Sequence, residues 1–328
     1  MTPHATKDAV LGALRDAGDA GVSGESLARS LGVSRAAVAK HVAALRGDGY
    51  RIEATPGLGY VLAEAPDRLV PAEVRARLTT GLWDRIEGGG ETGSTNDDCK
   101  RLARAGVPEG AVCIADSQTA GRGRLGREWS SPAGGAYMSV LLRPVMPLAD
   151  VPPLALVTGL AVARTVERLG VSRAGVKWPN DVLLDVGAQG GPGKLAGILL
   201  ETSAEGDVAE WVVIGIGMNV RRPSDPVPGA AYLSDADASI GLADAAAAVL
   251  EELAASYQLF QHERFRAFAE EYEARLVLIG REVTVRDVEG VRRASGTVTG
   301  VDEFGRLLLD VRGTQIVVAA GDVTLRDS

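Results

Sequence analysis

From residue 72 onward, strand-like and helix-like runs follow one another without the regular βαβ spacing that a doubly wound parallel sheet needs. This irregularity constrains the fold more than any other feature of the chain. Apolar runs over 111–115, 137–142, 194–202 and 211–220 suit buried strands, while 94–105, 152–169 and 236–275 read as helices. Together they predict an α+β domain with helices around a mixed, mostly antiparallel central sheet. After Arg281 the pattern changes again. Short alternating stretches at 283–285, 297–299, 307–309 and 316–318, separated by Gly290, Gly296, Gly305 and Gly313, suggest a small β-barrel.

The first sixty or so residues follow a helical period instead. Val10, Leu11 and Leu14 mark a first helix over 7–17. Ser23 is placed to cap a second that ends near Gly32, and Ser34 to cap a third over 35–46. In that third helix Val38, Val42 and Leu45 form an apolar stripe, and Ala36, Lys40 and Ala43 project from the other side. The turn Leu31-Gly32-Val33-Ser34 has helix-turn-helix length, and 50–61, broken by Pro56-Gly57 and Gly59, suits a β-wing.

Net charge is -8, so contact with nucleic acid needs a local basic surface. Between Ser26 and Arg51 the basic residues Arg29, Arg35, Lys40, Arg46 and Arg51 face one acid, Asp48. DNA is therefore the partner expected for this segment, contacted by Ser34, Arg35, Ala36 and Lys40; a helical triplet used only for packing or dimerisation is the alternative. Pro66 and Pro71 mark a linker over 63–71. The expected domains are a winged helix-turn-helix at 1–65, a central domain at 66–278 and a C-terminal domain at 279–328.

Two cysteines, Cys99 and Cys113, and three scattered histidines, His4, His41 and His262, supply neither a disulfide framework nor metal-ligand spacing. No protein-held structural metal is expected. No apolar run reaches the ~20 residues of a membrane span, and residues 1–14 carry no signal-peptide core. A cytoplasmic location without membrane contact is the expectation.

The run Gly121-Arg122-Gly123-Arg124-Leu125-Gly126-Arg127-Glu128-Trp129 sets three arginines among three glycines. Glycine allows close backbone approach, and arginine offers planar, permanently charged donors, so the segment suits a phosphate or carboxylate. Downstream stand Lys177-Trp178-Pro179-Asn180-Asp181, then Gly193-Lys194-Leu195-Ala196-Gly197-Ile198-Leu199-Leu200-Glu201, then Gly215-Ile216-Gly217-Met218-Asn219-Val220. With Ser94-Thr95-Asn96 and Gln118 upstream, these blocks closely resemble the biotin protein ligases, and the N-terminal segment resembles the subclass that doubles as biotin operon repressor.

The resemblance implies a class II aminoacyl-tRNA synthetase-like catalytic fold and an SH3-like C-terminal domain. It also implies a reaction in which biotin and ATP, with Mg²⁺, give biotinyl-5′-AMP, and biotin then passes to a lysine of a biotin carboxyl carrier domain. The adenylate-bound protein would dimerise on operator DNA. Bringing a carboxylate to the α-phosphate joins two anions, so the site needs cations. Arg122, Arg124, Arg127, Lys177 and Lys194 are the candidates.

The family pattern maps adenylate binding onto Gly121, Arg122, Gly123 and Arg124, and gives Lys194 the biotin carboxylate and the phosphate. Ser94, Thr95, Asn96 and Gln118 suit the neutral ureido ring; taken alone, the first three read as a helix cap. Trp129 offers a flat apolar face, whereas Trp178 reads as core. Asn180 and Asp181 follow a proline turn, and Asp181 could hold Mg²⁺ or take the proton of the incoming lysine. Gly197, Gly215 and Gly217 mark close approach to a strand interior, and Asn219 is a candidate nucleotide contact.

Two departures from the family pattern stand out: Leu125 sits where many members carry arginine, and 185–193 is longer and richer in glycine than a tight hairpin needs. A lipoate-type ligase and a non-enzymatic biotin-sensing regulator are the rival readings.

Overall fold

The computed structural model describes residues 3–171, 174–187, 191–287 and 289–325. The chain divides into two compact units, Met1–Asp67 and Arg68–Ser328.

In the first unit, helices α1 (Pro3–Ala17), α2 (Gly24–Leu31) and α3 (Arg35–Gly47) lead into the antiparallel hairpin β1 (Arg51–Thr55) and β2 (Gly59–Glu64). Both serine caps form: Ser23 Oγ accepts the Ser26 N–H at 3.0 Å and Ser34 Oγ the Ala37 N–H at 3.1 Å. Gly32 closes α2 in the left-handed region, with φ 66°. Val10, Leu11, Leu14, Leu27, Val38, Val42 and Leu45 are buried, while Ser34, Arg35, Ala36 and Lys40 are exposed.

The basic footprint is narrower than the charge count implied. Arg46 donates twice to Ile52 O, at 2.9 and 2.6 Å, and so ties α3 to the wing. Arg51 pairs with Glu53 and Glu64, and Arg29 faces Glu25 at 3.5 Å. Arg35 and Lys40 have no ion-pair partner among the described residues and remain the outward cations of α3.

The second unit runs α4 (Pro71–Arg75), β3 (Arg85–Gly88), β4 (Glu91–Thr92), α5 (Thr95–Arg104), β5 (Ala111–Ala115), β6 (Ser117–Gln118), β7 (Gly135–Leu142), α6 (Pro153–Arg168), β8 (Ala174–Lys177), β9 (Asp181–Leu184), β10 (Gly193–Glu205), β11 (Val208–Asn219), α7 (Leu242–Glu263) and α8 (Ala269–Arg275). The strands β12 (Glu282–Arg286), β13 (Arg292–Val301), β14 (Leu307–Val311), β15 (Thr314–Val318) and β16 (Asp322–Leu325) complete it.

Seven strands form the central sheet in the order β3-β5-β7-β11-β10-β9-β8, antiparallel at every pairing except β3 with β5. Helices α6 and α7 pack on each other and cover one face; α5 lies against β5, β7 and β11 on the other. The C-terminal strands form a five-stranded antiparallel sheet in the order β15-β14-β13-β12-β16. Its buried Val283, Val285, Leu307 and Leu309 belong to the same apolar core as α6 and α7.

The helix expected over 236–275 is two helices. Arg264 takes φ 57° and ψ -161°, a conformation that ends α7, and a 3₁₀ turn at Phe265–Ala267 separates it from α8. Part of the long 185–193 segment lies outside the described residues.

Candidate active site

The site begins with period two in β11. Val212, Ile214, Ile216 and Met218 face the core under α6 and α7, and Trp211 and Val213 pack beneath α5 with Cys99, Ala103 and Leu141. The next residues on the α5 side are Gly215 and Gly217, paired in register with Leu199 and Gly197 of β10. At the start of α5, the sheet floor therefore loses its side chains, and a cleft opens.

The glycines make room for side chains of this chain. A Cβ at Gly215 would overlap Asn96 Oδ1; at Gly217 it would stand 2.5 Å from Trp129 Nε1, and at Gly197 2.9 Å from Trp129 Cζ3. The Trp129 indole thus lies across the two-glycine floor. Its Nε1 is a buried donor without a partner among the described residues, a state that costs about 1–3 kcal/mol unless an acceptor arrives.

Polar groups from the start of α5 line one wall. Ser94 occupies the N-cap position, but its side chain makes no capping hydrogen bond, and Asp97 turns to cations instead. The capping-box reading fails there, and the Ser94 side chain lines the cleft. Gln118 Oε1 accepts from the Thr95 N–H at 2.9 Å and from Thr95 Oγ1 at 3.2 Å, and its amide donates to Ser131 Oγ at 2.9 Å. Buried Ser139 donates its one hydroxyl proton to Asn96 Oδ1 at 2.6 Å and stands 2.8 Å from Thr95 Oγ1, while the Asn96 amide donates to Glu201 Oε2 at 2.7 Å.

The arginine loop is a small hairpin. The Gly123 N–H donates to Arg127 O at 2.8 Å and the Trp129 N–H to Gly121 O at 3.0 Å, with Leu125 at φ 59° and Gly126 at φ 71° at its tip. A Cβ at Gly121 would stand 2.5 Å from Trp129 O and 2.6 Å from Ser131 Oγ. Gly121 is therefore buried where the hairpin's arms meet and does not line the cleft.

Each loop arginine has a distinct setting. Arg122 makes a bidentate pair with Asp97, at 2.8 and 2.6 Å, which holds the Asp97 carboxyl well below the usual carboxylate range. Arg124 reaches Asn180 Oδ1 at 3.3 Å and Gly321 O at 3.2 Å, and burial lowers its pKa from the ordinary guanidinium value. Arg127 pairs with Asp322 of β16. The C-terminal sheet thereby supplies a backbone carbonyl and a carboxylate to the loop.

Lys194 reaches the cleft through a β-bulge. Strict alternation from Gly197 would put residue 194 on the core face, but the pairing with β9 skips Leu195, and the extra residue turns Lys194 over. Its Nζ stands 2.8 Å from Asp181 Oδ1, off hydrogen-bond alignment, and 5.0 Å from the Trp129 ring centroid. Two other candidates lie elsewhere. Asn219 is buried beside β10 and donates to Lys194 O at 3.0 Å, supporting the lysine's backbone. Lys177 ends the edge strand β8 opposite Asp181, and its side chain is not among those lining the cleft. The cleft does bring together Ser94, Thr95, Asn96, Gln118, Arg122, Gly123, Arg124, Trp129, Asn180, Asp181, Lys194, Gly197 and Gly217.

This architecture has counterparts among known proteins. The biotin/lipoate A/B protein ligase family matches residues 90–219, an HTH domain matches 7–61, and the biotin protein ligase C-terminal domain matches 278–326. The bifunctional ligase/repressor BirA of Bacillus subtilis (strain 168) is 33% identical over 94% of this chain and 95% of its own length. That of Escherichia coli (strain K12) is 35% identical over 93% of each. The chain belongs to the bifunctional biotin ligase/repressor family. A biotin protein ligase from Aquifex aeolicus, solved in complex with biotin and ATP, matches this chain with a TM-score of 0.63 at 29% identity, covering 75% of this chain and 100% of that one.

The cleft also holds residues that motif reading passed over. Asp322 lines it from the C-terminal sheet, and Ser131, Ser139 and Glu201 hold its walls. Only Glu201 lay inside a recognised block; Ser139 sits in an apolar strand and Asp322 in a segment with no local signal. Trp178 is core: it is 3% exposed and donates Nε1–H to Gly305 O at 2.9 Å, joining the Lys177–Asp181 segment to the C-terminal sheet.

Proposed function

We propose that this chain activates biotin with ATP in the cleft and transfers it to one lysine of a biotin carboxyl carrier domain. One observation carries the reading: a neutral polar pocket and a set of cations open into the same cleft. Ser94, Thr95, Asn96 and Gln118 offer hydroxyl and amide groups without net charge, which suits a ureido ring. Arg122, Arg124 and Lys194 line the same cleft, where two anions must be brought together.

In the first step a biotin carboxylate oxygen attacks the α-phosphorus of ATP, the bond to the β-phosphate oxygen breaks, and pyrophosphate leaves. Lys194 neutralises the carboxylate and α-phosphate, and Arg122 and Arg124 hold the phosphate in line. In the second step the carrier lysine attacks the anhydride carbonyl, AMP leaves, and Asp181 accepts the amine proton. Mg²⁺ would be held by the ATP phosphates and Asp181, and when bound it neutralises phosphate charge. Trp129 covers the pocket floor and supplies its free Nε1–H.

The first unit binds operator DNA through α3, with Ser34, Arg35, Ala36 and Lys40 toward the groove, in a homodimer formed when the adenylate is bound. Both activities belong in the cytoplasm, where carrier and operator are met.

Biotin- and Mg·ATP-dependent labelling of a purified carrier domain tests the ligase reading. The native chain should label it, Lys194→Ala should abolish labelling, and Arg124→Gly should spread label onto unrelated lysines. Pyrophosphate release with lipoate but not biotin would favour a lipoate-type ligase. Absence of any transfer to a competent carrier would leave a biotin-sensing regulator.

A further inference from the structure

We propose that Asp97 is a positioning residue for the arginine loop, aiming Arg122 at the phosphate end of the cleft and coupling it to the helix that carries Asn96. The proposal rests on the ligase reading above. Its basis is a closed ring of charges beside the cleft. Asp97 takes Arg122 in a bidentate pair, at 2.8 and 2.6 Å. Lys100, one turn along α5, lies 2.9 Å from Asp97 Oδ1 and 2.7 Å from Glu201 Oε1. Glu201 Oε2 is 3.9 Å from Arg122 Nη2 and accepts the Asn96 amide at 2.7 Å.

The donor count makes this an orienting contact rather than a block. A guanidinium has five N–H groups, and the end-on pair with Asp97 uses one from each terminal nitrogen. The remaining three are still available to an anion in the cleft, which Arg122 lines. A planar fork held at two points has its third edge fixed in direction, which a single contact or a lysine would not achieve.

The carboxylate is itself well anchored. Asp97 lies in the first turn of α5, where the helix dipole favours negative charge. Its neighbour Asn96 is 4% exposed and held by Ser139 and Glu201. The wall assigned to biotin and the loop assigned to phosphate thus share one rigid helical turn.

The test compares native chain with Asp97→Asn, Asp97→Glu, Arg122→Gln and the Asp97→Asn/Arg122→Gln double variant. Steady-state kinetics and release of labelled adenylate without carrier are the readouts. Asp97→Asn should raise both the KM for ATP and adenylate release roughly fivefold, as expected for loss of a partly exposed bidentate pair, with the KM for biotin nearly unchanged. Asp97→Glu should recover part of the loss, and the double variant should match Arg122→Gln alone.

Should Asp97→Asn fail to fold, Arg122→Lys keeps the charge, loses the fork and should show the same selective loss. An additive double variant, or native kinetics in Asp97→Asn while the native chain still labels the carrier, overturns the proposal. Failure of the native chain to label the carrier overturns the ligase reading instead.

Discussion

Gly215→Ala adds one methyl group to the cleft floor, and the structure gives it nowhere to go. The new Cβ would overlap Asn96 Oδ1. Asn96 cannot easily yield, because Ser139 Oγ holds its Oδ1 at 2.6 Å while Glu201 Oε2 holds its Nδ2 at 2.7 Å. Overpacking of this kind costs about 1–3 kcal/mol. Since Gly215 does not need a positive φ, alanine also restricts the unfolded chain and returns about 0.4–1 kcal/mol. The net loss, up to about 2.5 kcal/mol, should lower the melting temperature of the second unit by up to about 10 °C.

Calorimetric melting and biotin titration of the variant measure both consequences, because Asn96 can escape only by leaving the wall assigned to the ureido ring. Gly217→Ala is the matched control. Its Cβ would meet Trp129, a half-buried side chain on the loop that can swing aside, so melting should be near native while indole fluorescence shifts. In a Gly215→Ala background, Asn96→Ala should cost less than it does alone, since the overlapping atoms are gone. Native melting and native biotin affinity in Gly215→Ala would refute the argument that this glycine exists to seat Asn96.

Two further outcomes follow from charge placement. Arg35→Ala and Lys40→Ala should each weaken operator binding in an electrophoretic shift and reduce its salt slope by about one, whereas Arg29→Ala should change neither much. Glu271 is held below the ordinary carboxylate range first by Arg164 and then by Arg275. A folded pKa below the unfolded one stabilises above the unfolded value, and the gain is lost as pH falls through the folded one. Urea midpoints measured from about pH 6 to about pH 3 should therefore fall more steeply for the native chain than for Glu271→Gln.

What could be read from the chain was what is determined locally. Ser23 and Ser34 cap because a hydroxyl three residues before an N–H needs no tertiary partner, and β5 was found to the residue because its apolar run is continuous. The break at Arg264 was hidden, since neither glycine nor proline announces it and a residue with a side chain occupies a conformation usually left to glycine. Strands β8, β9 and β16, four residues each, were too short to show alternation. Counting charges along α3 and the wing overstated their basic surface, because Arg46 is used on Ile52 O and Arg51 on Glu53 of its own strand and Glu64 across the hairpin.

The site divides along the same line. Motifs named which side chains carry charge, but partner choice is a property of the sheet: Arg127 finds Asp322 at the far end of the chain, and Lys100 finds Glu201. Lys194 is the sharpest case. Read with strict alternation, Gly197 on the floor puts Lys194 among core residues, where an ammonium would be costly. The bulge at Leu195 reverses that parity, and Asn219 supports the lysine by donating to its carbonyl. Bulge and amide together account for a lysine that opens an apolar strand yet faces solvent, Asp181 and the indole. Asn219, a candidate nucleotide contact by motif, is here tied to the backbone of Lys194.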